Sequence, residues 1–319
     1  MKSSYFTSTR IHISHLYKQE YITTRIMDNP IIFDHKLIEQ FRKRAFKKSG
    51  QSADFLLQYV CTELSERLQT VDRKFQLAAD IHGHTGQGAQ TLLNSNKVDA
   101  VDIIETSEDY INGSYKFMKR HRELLDLPDH HYDLVTSLLS LHITNDVPGV
   151  LLQIKKSLKP DGLFLGVMAG AGTLGELRES MLQAEMEIYG GVSPRVYPFA
   201  DIRDAGALLQ RAGFAMPVTD VEDLTVRYNT AFDLMYDLRA MGMQNALIGR
   251  SRKTLSKRFF NRVAEIYAER FSDPDGRIRA RFSFVWLSGW APDENQQKPM
   301  KPGTGKISLA DVLGDKSGQ

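Results

Sequence analysis

The stretch FQLAADIHGHTGQG, residues 75–88, decides how the rest of the chain is read. Its first half, Phe75 to Ile81, is a short apolar run bounded by a glycine-rich turn, which predicts a buried strand. The chain then turns through His82-Gly83-His84-Thr85-Gly86-Gln87-Gly88, and Gln87–Leu93 reads as the start of a helix. Strand, glycine-rich turn and helix in that order let α/β proteins bring backbone against a nucleotide-like cofactor, because glycine keeps side chains out of the way. A second strand, Val98–Glu105, ends in an acid 25 residues after Asp80. That is near the spacing of about 20 residues at which such folds place the acid that takes ribose hydroxyls.

Working outward, the alternation continues. Tyr115–Met118 is a weaker extended stretch, and Asp133–Leu139 is a clear strand. Val147–Leu158 is amphipathic and helical, and it stops at Lys159-Pro160-Asp161-Gly162, a turn signal with Pro and Gly suitably placed. Leu163–Met168 is another apolar strand. Strands alternating with helices predict βαβ units and a parallel sheet covered on both faces. Two helices precede this block, Asp34–Lys48 and Ser52–Val71. The second repeats Leu57, Val60, Cys61, Leu64 and Leu68 at helical spacing.

Residues 170–200 break the rhythm. A helix over Thr173–Tyr189 runs into Gly190-Gly191-Val192-Ser193-Pro194-Arg195, an insertion over the strand ends where substrate lids sit. Arg178, Glu185 and Arg195 lie on it and either contact a substrate or pair along the helix surface. Next come a helix over Asp201–Ala212, closed by Gly213, and a strand over Met216–Glu222. Helices over Thr230–Met241 and Arg252–Phe271 lead into an alternating strand, Arg279–Trp290. The last two strands are expected to form an antiparallel edge to the parallel sheet. The domain plan is a basic arm at 1–28, N-terminal helices at 29–72, an α/β domain at 73–292 and a tail at 293–319.

Composition narrows the class. Of 319 residues, 42% are apolar and 25% charged, which is globular and argues against wholesale disorder. No stretch approaches the ~20 apolar residues of a membrane helix. A single cysteine, Cys61, cannot close an internal disulfide, which points to a reducing compartment. Residues 1–50 hold ten Lys/Arg against four Asp/Glu, so the arm is basic although the whole chain carries only +2. It is read as a solvated face or as a start placed too early, with Met27 the better opening; a transit peptide is the alternative.

Asp133-Leu134-Val135-Thr136-Ser137-Leu138-Leu139-Ser140-Leu141-His142, followed by Leu158-Lys159-Pro160-Asp161-Gly162, resembles the class I S-adenosylmethionine-dependent methyltransferases. Gly172-Thr173-Leu174-Gly175-Glu176-Leu177-Arg178, Gly190-Gly191-Val192-Ser193-Pro194 and Leu209-Gln210-Arg211-Ala212-Gly213-Phe214 resemble one subgroup more closely. It contains the methyltransferase-like assembly factor of mitochondrial complex I and its bacterial relatives. The resemblance spans Asn29 to Leu313. It implies the Rossmann-like seven-stranded methyltransferase sheet with helices on both faces, S-adenosylmethionine as cofactor, and a protein or acyl-carrier substrate. A sister group methylates malonyl-acyl-carrier-protein, and the mitochondrial member is regarded as hydroxylating an arginine of a complex I subunit. It also implies the bacterial cytoplasm or, alternatively, the mitochondrial matrix.

The resemblance assigns residues too. The family loop reads Asp-x-Gly-x-Gly-x-Gly; Asp80 and Gly86 match it, whereas His82 and His84 stand at its first two glycines. Cofactor binding is therefore expected from Asp80, Gly83, Gly86, Glu105 and Glu123, the last replacing an adenine-side acid absent from its usual place. His142, with Ser140 and Asn145, is expected on the substrate side. His82, His84, His121 and His142 each follow a strand, so they share one sheet edge. A metal bound between them is the bolder reading; separate hydrogen-bonding loop residues is the one adopted, with no metal site assigned. No nucleophile–base pair is visible, and methyl transfer needs little beyond positioning. Three functions follow: a protein or carrier-protein methyltransferase, an arginine hydroxylase and assembly factor for complex I, or a non-catalytic chaperone with a degenerate cofactor site.

Overall fold

The computed structural model describes residues 31–111 and 115–296; the basic arm and most of the tail lie outside them. Two helices come first. Helix α1 (His35–Ser49) starts where Asp34 accepts the Leu37 amide, and α2 (Phe55–Thr70) starts where Asp54 accepts the Leu57 amide. The α2 stripe Leu57, Val60, Cys61, Leu64 and Leu68 is buried, as its spacing predicts.

The sheet has seven strands: β1 (Phe75–Ile81), β2 (Val98–Glu105), β3 (Lys116–Lys119), β4 (Tyr132–Leu138), β5 (Leu158–Ala169), β6 (Ala215–Tyr228) and β7 (Ile278–Trp290). Their order is β3-β2-β1-β4-β5-β7-β6. The first five run parallel, and β7 pairs antiparallel with both β5 and β6. Strand order reverses between β1 and β4, so a crevice opens at their carboxyl ends. Helices α3 (Gln87–Asn94), α4 (Val147–Ser157), α5 (Gly175–Tyr189), α6 (Ile202–Ala212), α7 (Ala231–Ala240) and α8 (Lys257–Phe271) complete the domain. Among the described residues the apolar core lies in three clusters, one containing α2 and Phe282, one α4 and Phe164, and a smaller one joining Phe33 and Ile38 to Ile143 and Leu247.

Three differences from the sequence reading have physical causes. Lys159–Gly162, expected as a turn between helix and strand, is not separate from the strand that follows. It is a bulge inside β5, with Leu158 opposite Tyr132 and Leu163 opposite Leu134, and Asp161 at φ 58°. Helix α8 starts five residues later than expected because Ser256, not Arg252, caps it by accepting the Phe259 amide. Strand β6 continues to Tyr228, since its outer half (Asp223, Thr225, Arg227) is polar but pairs with Arg279–Ser283.

Candidate functional site

The turn after β1 keeps glycine-like geometry without all of the glycines. His82 (φ 54°) and His84 (φ 65°) both sit in the left-handed region, as does Gly86 (φ 75°) at the start of α3. Each histidine holds a conformation that costs a non-glycine residue roughly 1–2 kcal/mol. Gly83 and Gly88 leave room for Asp80: a Cβ on either would come within 3 Å of its Oδ2. Asp80 accepts from the Ala89 amide (3.1 Å) and Thr136 Oγ1 (3.3 Å), while burial raises its pKa to about 7. Asp80 thus braces the turn from beneath.

Glu105, at the end of β2, is buried and crowded. Its Oε1 accepts from the Thr106 amide (2.6 Å) and Thr106 Oγ1 (3.0 Å), and its Oε2 accepts from the His84 amide (3.2 Å). The His82 ring lies beside it, Nδ1 3.4 Å from Oε1, yet neither ring nitrogen of His82 has a well-directed hydrogen bond among the described residues. Burial opposes ionisation of Glu105, but His82 and the charges of Arg122 and Arg42 outweigh it and hold the carboxyl well below the usual range. Burial pushes His82 and His84 the other way, toward neutrality.

Glu123 and Asn145 meet across the crevice from the loop. Glu123 Oε1 accepts the Asn145 amide (2.7 Å) and lies 3.4 Å from His35 Nε2 on α1. The Asn145 side chain is spent on the N-terminal segment: Oδ1 accepts from the Ile32 and Phe33 amides, both at 2.8 Å. Asn145 is therefore a staple for the entry to α1 and does not face a substrate. Ser140 is buried with its hydroxyl 2.9 Å from Ser137 Oγ, so it too is structural. Of the three residues expected on the substrate side, His142 alone lines a cavity.

That cavity, about 380 Å³, lies beside the crevice and is walled mainly by apolar side chains, among them Leu174, Met181, Met235, Phe282 and Phe284. Its polar wall carries Arg42, Arg195 and Arg239, and no Asp or Glu. Leu139 (φ 51°) and Leu174 (φ 54°) also line it, so strained backbone gathers around the site, as it does where structure is held for function. His142 Nδ1 accepts the Ala169 amide at 3.3 Å, which assigns the proton to Nε2. Burial, then Arg42 and Arg122, lower its pKa to about 3, so it is a neutral donor.

The insertion is buckled to itself. Glu185 binds Arg195 at 2.5 Å and accepts from the amide and hydroxyl of Ser193, and Arg178 donates to the Tyr197 carbonyl. His121 is exposed, its ring 6.2 Å from that of His35. Among the described residues no group of three or more His, Cys, Asp or Glu is placed to hold a metal. The sequence reading passed over Arg42 and Arg122. Arg42 did leave a sign: it shares the buried stripe Ile38, Arg42, Ala45 of α1, a cation where periodicity calls for an apolar residue.

A family model described as a methyltransferase domain matches residues 53–217. The chain belongs to the class I S-adenosylmethionine-dependent methyltransferases. It is 34% identical over 265 residues to "Arginine-hydroxylase NDUFAF5, mitochondrial" of Danio rerio, covering 81% of this chain and 82% of that one. The human protein of the same name is 33% identical over 288 residues, covering 88% and 83%. "Malonyl-[acyl-carrier protein] O-methyltransferase" of Halorhodospira halophila is 31% identical over 284 residues, covering 85% and 93%. A methyltransferase structure from Bacillus halodurans shares the fold with a TM-score of 0.50 at 14% identity, covering 72% of this chain and 98% of that one.

The cofactor of this methyltransferase family is S-adenosylmethionine, and the crevice suits it in three respects. The turn holds three residues in the left-handed region, Gly83 and Gly88 let the Asp80 carboxylate brace it from beneath, and Glu105 and Glu123 are buried acids. The orphaned nitrogens of His82 mark hydrogen-bonding capacity that no described residue uses. One side chain crowds that acid: the His82 ring lies against the carboxylate expected to take ribose hydroxyls.

Proposed function

We propose that the chain is a methyltransferase whose acceptor is an anionic or acyl group carried on a protein, with the reacting end seated in the cavity beside His142. The observation that carries this is the charge of the cavity wall: three arginines and no carboxylate. Arg195 is neutralised by Glu185, but Arg42 and Arg239 have no ion-pair partner among the described residues. A cationic acceptor would meet like charge there, whereas a carboxylate would be attracted.

Glu105 and Glu123 would hold the cofactor, which when bound supplies an electrophilic methyl group. An ionised carboxylate acceptor needs no general base, in keeping with a neutral His142 that can only donate through Nε2–H. The chain's contribution is then orientation and the exclusion of water by Leu174, Phe282 and Phe284. The Halorhodospira relative is named for this kind of acceptor.

A second reading, arginine hydroxylation in complex I assembly, is favoured by the names of the relatives at 33–34% identity. Those names place that reaction in mitochondria, and a lone buried thiol, Cys61, fits the matrix as well as a bacterial cytoplasm. Mass spectrometry of candidate acceptors incubated with the chain tests both, with S-adenosylmethionine as methyl donor in one arm and, in the other, dioxygen as the oxygen source, ferrous iron and a chemical reductant. A methyl gained by malonyl-acyl-carrier-protein supports the first reading; an oxygen gained on an arginine of a complex I subunit, with no methyl on the carrier, overturns it.

A further inference from the structure

Arg42 on α1 and Arg122 after β3 are both at least nine-tenths buried. Neither side chain makes a hydrogen bond or an ion pair with any described residue, and Nη1 of each is sealed without a partner. Buried guanidiniums are ordinarily forked onto a carboxylate, because leaving the charge uncompensated in low dielectric costs several kcal/mol. Here the nearest acids act only at a distance: Glu105 and Glu39 stabilise the charge on Arg122, but neither lies within ion-pair reach.

The helix that carries Arg42 lies against the segment that carries Arg122: His35 Nε2 on α1 is 3.4 Å from Glu123 Oε1. Arg42 lowers the pKa of Arg122, second only to burial, and together they bring it to about 10. Arg42 acts as well on His82, His84 and His142, so its charge sits where the crevice and the cavity meet. The surrounding imidazoles bring no compensation, since an imidazole is neutral or cationic, and Nε2 of His82 and of His84 is also unpartnered. Two like charges held together and unpaired are a liability that a fold removes unless something binds them.

We propose that Arg42 and Arg122 form a buried oxyanion clamp beneath α1, binding the carboxylate or phosphate of a ligand at the junction of crevice and cavity. The two forks supply planar donors suited to bidentate capture of such a group. The clamp uses the same crevice as the proposed cofactor but does not depend on that cofactor being bound.

The test uses the full chain and its Arg42→Met and Arg122→Met variants. Three probes are titrated: S-adenosylhomocysteine, 5′-methylthioadenosine (which lacks the amino-acid carboxylate) and inorganic phosphate. If the clamp takes the cofactor's carboxylate, each variant loses about tenfold or more in S-adenosylhomocysteine affinity and nothing for methylthioadenosine. If it takes a free oxyanion, phosphate raises the melting temperature of the wild type and not of the variants. Phosphate binding that needs both arginines, with no S-adenosylhomocysteine bound, keeps the clamp and rejects the cofactor. S-adenosylhomocysteine bound equally by all three proteins, with no phosphate effect, rejects the clamp and keeps the cofactor; no binding by any probe rejects both. The ligand-free variants give a further readout. A clamp predicts that either Met variant melts higher than wild type, whereas a structural arginine predicts a lower melting point. Arg→Lys at each position, which keeps charge but loses the fork, should bind with intermediate affinity; affinity equal to wild type overturns the bidentate capture.

Discussion

His82 Nδ1 lies 3.4 Å from Glu105 Oε1 with both side chains sealed from solvent, at 2% and 1% exposure. A histidine thus lies against the carboxylate proposed to take ribose hydroxyls.

Glu105→Ala should weaken S-adenosylhomocysteine binding about tenfold or more, since charge-assisted hydrogen bonds contribute roughly 1.5–3 kcal/mol. Isothermal titration reads this directly. Unchanged affinity in the mutant would show that Glu105 serves only the His82 and Thr106 contacts within the chain.

Asn145→Ala should behave as a stability mutant. It removes the acceptor for the Ile32 and Phe33 amides and so frees the entry to α1. The expected cost is about 1–2 kcal/mol, seen as a melting point lower by a few degrees. Turnover lost with no change in melting temperature would instead return Asn145 to the substrate side.

Acid should loosen this structure through its buried histidines. Burial lowers His35 to about 4 and His142 to about 3, both from 6.5. A group with a depressed histidine pKa contributes its full stability above 6.5, and loses it as pH falls toward the folded value. At pH 5 a shift like that of His35 corresponds to a loss on the order of 2 kcal/mol. The melting temperature of wild type should therefore drop between pH 7 and pH 5 by more than that of His35→Gln with His142→Gln. Equal drops would place the acid sensitivity elsewhere.

The parallel half of the fold was legible because β1, β2 and β4 are mostly apolar and buried without alternation from Ala78, Val101 and Leu134 onward, which is how strands buried on both faces read. The bulge at Lys159–Gly162 was not, since Pro and Gly signal a break in direction whether or not pairing resumes beyond it. Within the site, Asp80, Gly83, Gly86 and Glu105 are brought together at one sheet edge. Ser140 and Asn145 show the limit of position alone: both follow β4, but one bonds inward to Ser137 and the other to the N-terminal segment. Arg42 and Arg122 converge from elements 80 residues apart, a meeting no local pattern records.

This crevice is proposed to receive S-adenosylmethionine still, against the opposition of His82 and its neighbour His84. Isothermal titration of S-adenosylhomocysteine into the wild-type chain and into the double variant His82→Gly, His84→Gly decides the matter. One-to-one binding to both is expected, tighter in the variant because glycine relieves the positive φ at both positions and frees Glu105. Binding abolished by the change, or a stoichiometric metal in wild type that disappears with it, would instead make the two histidines ligands in their own right.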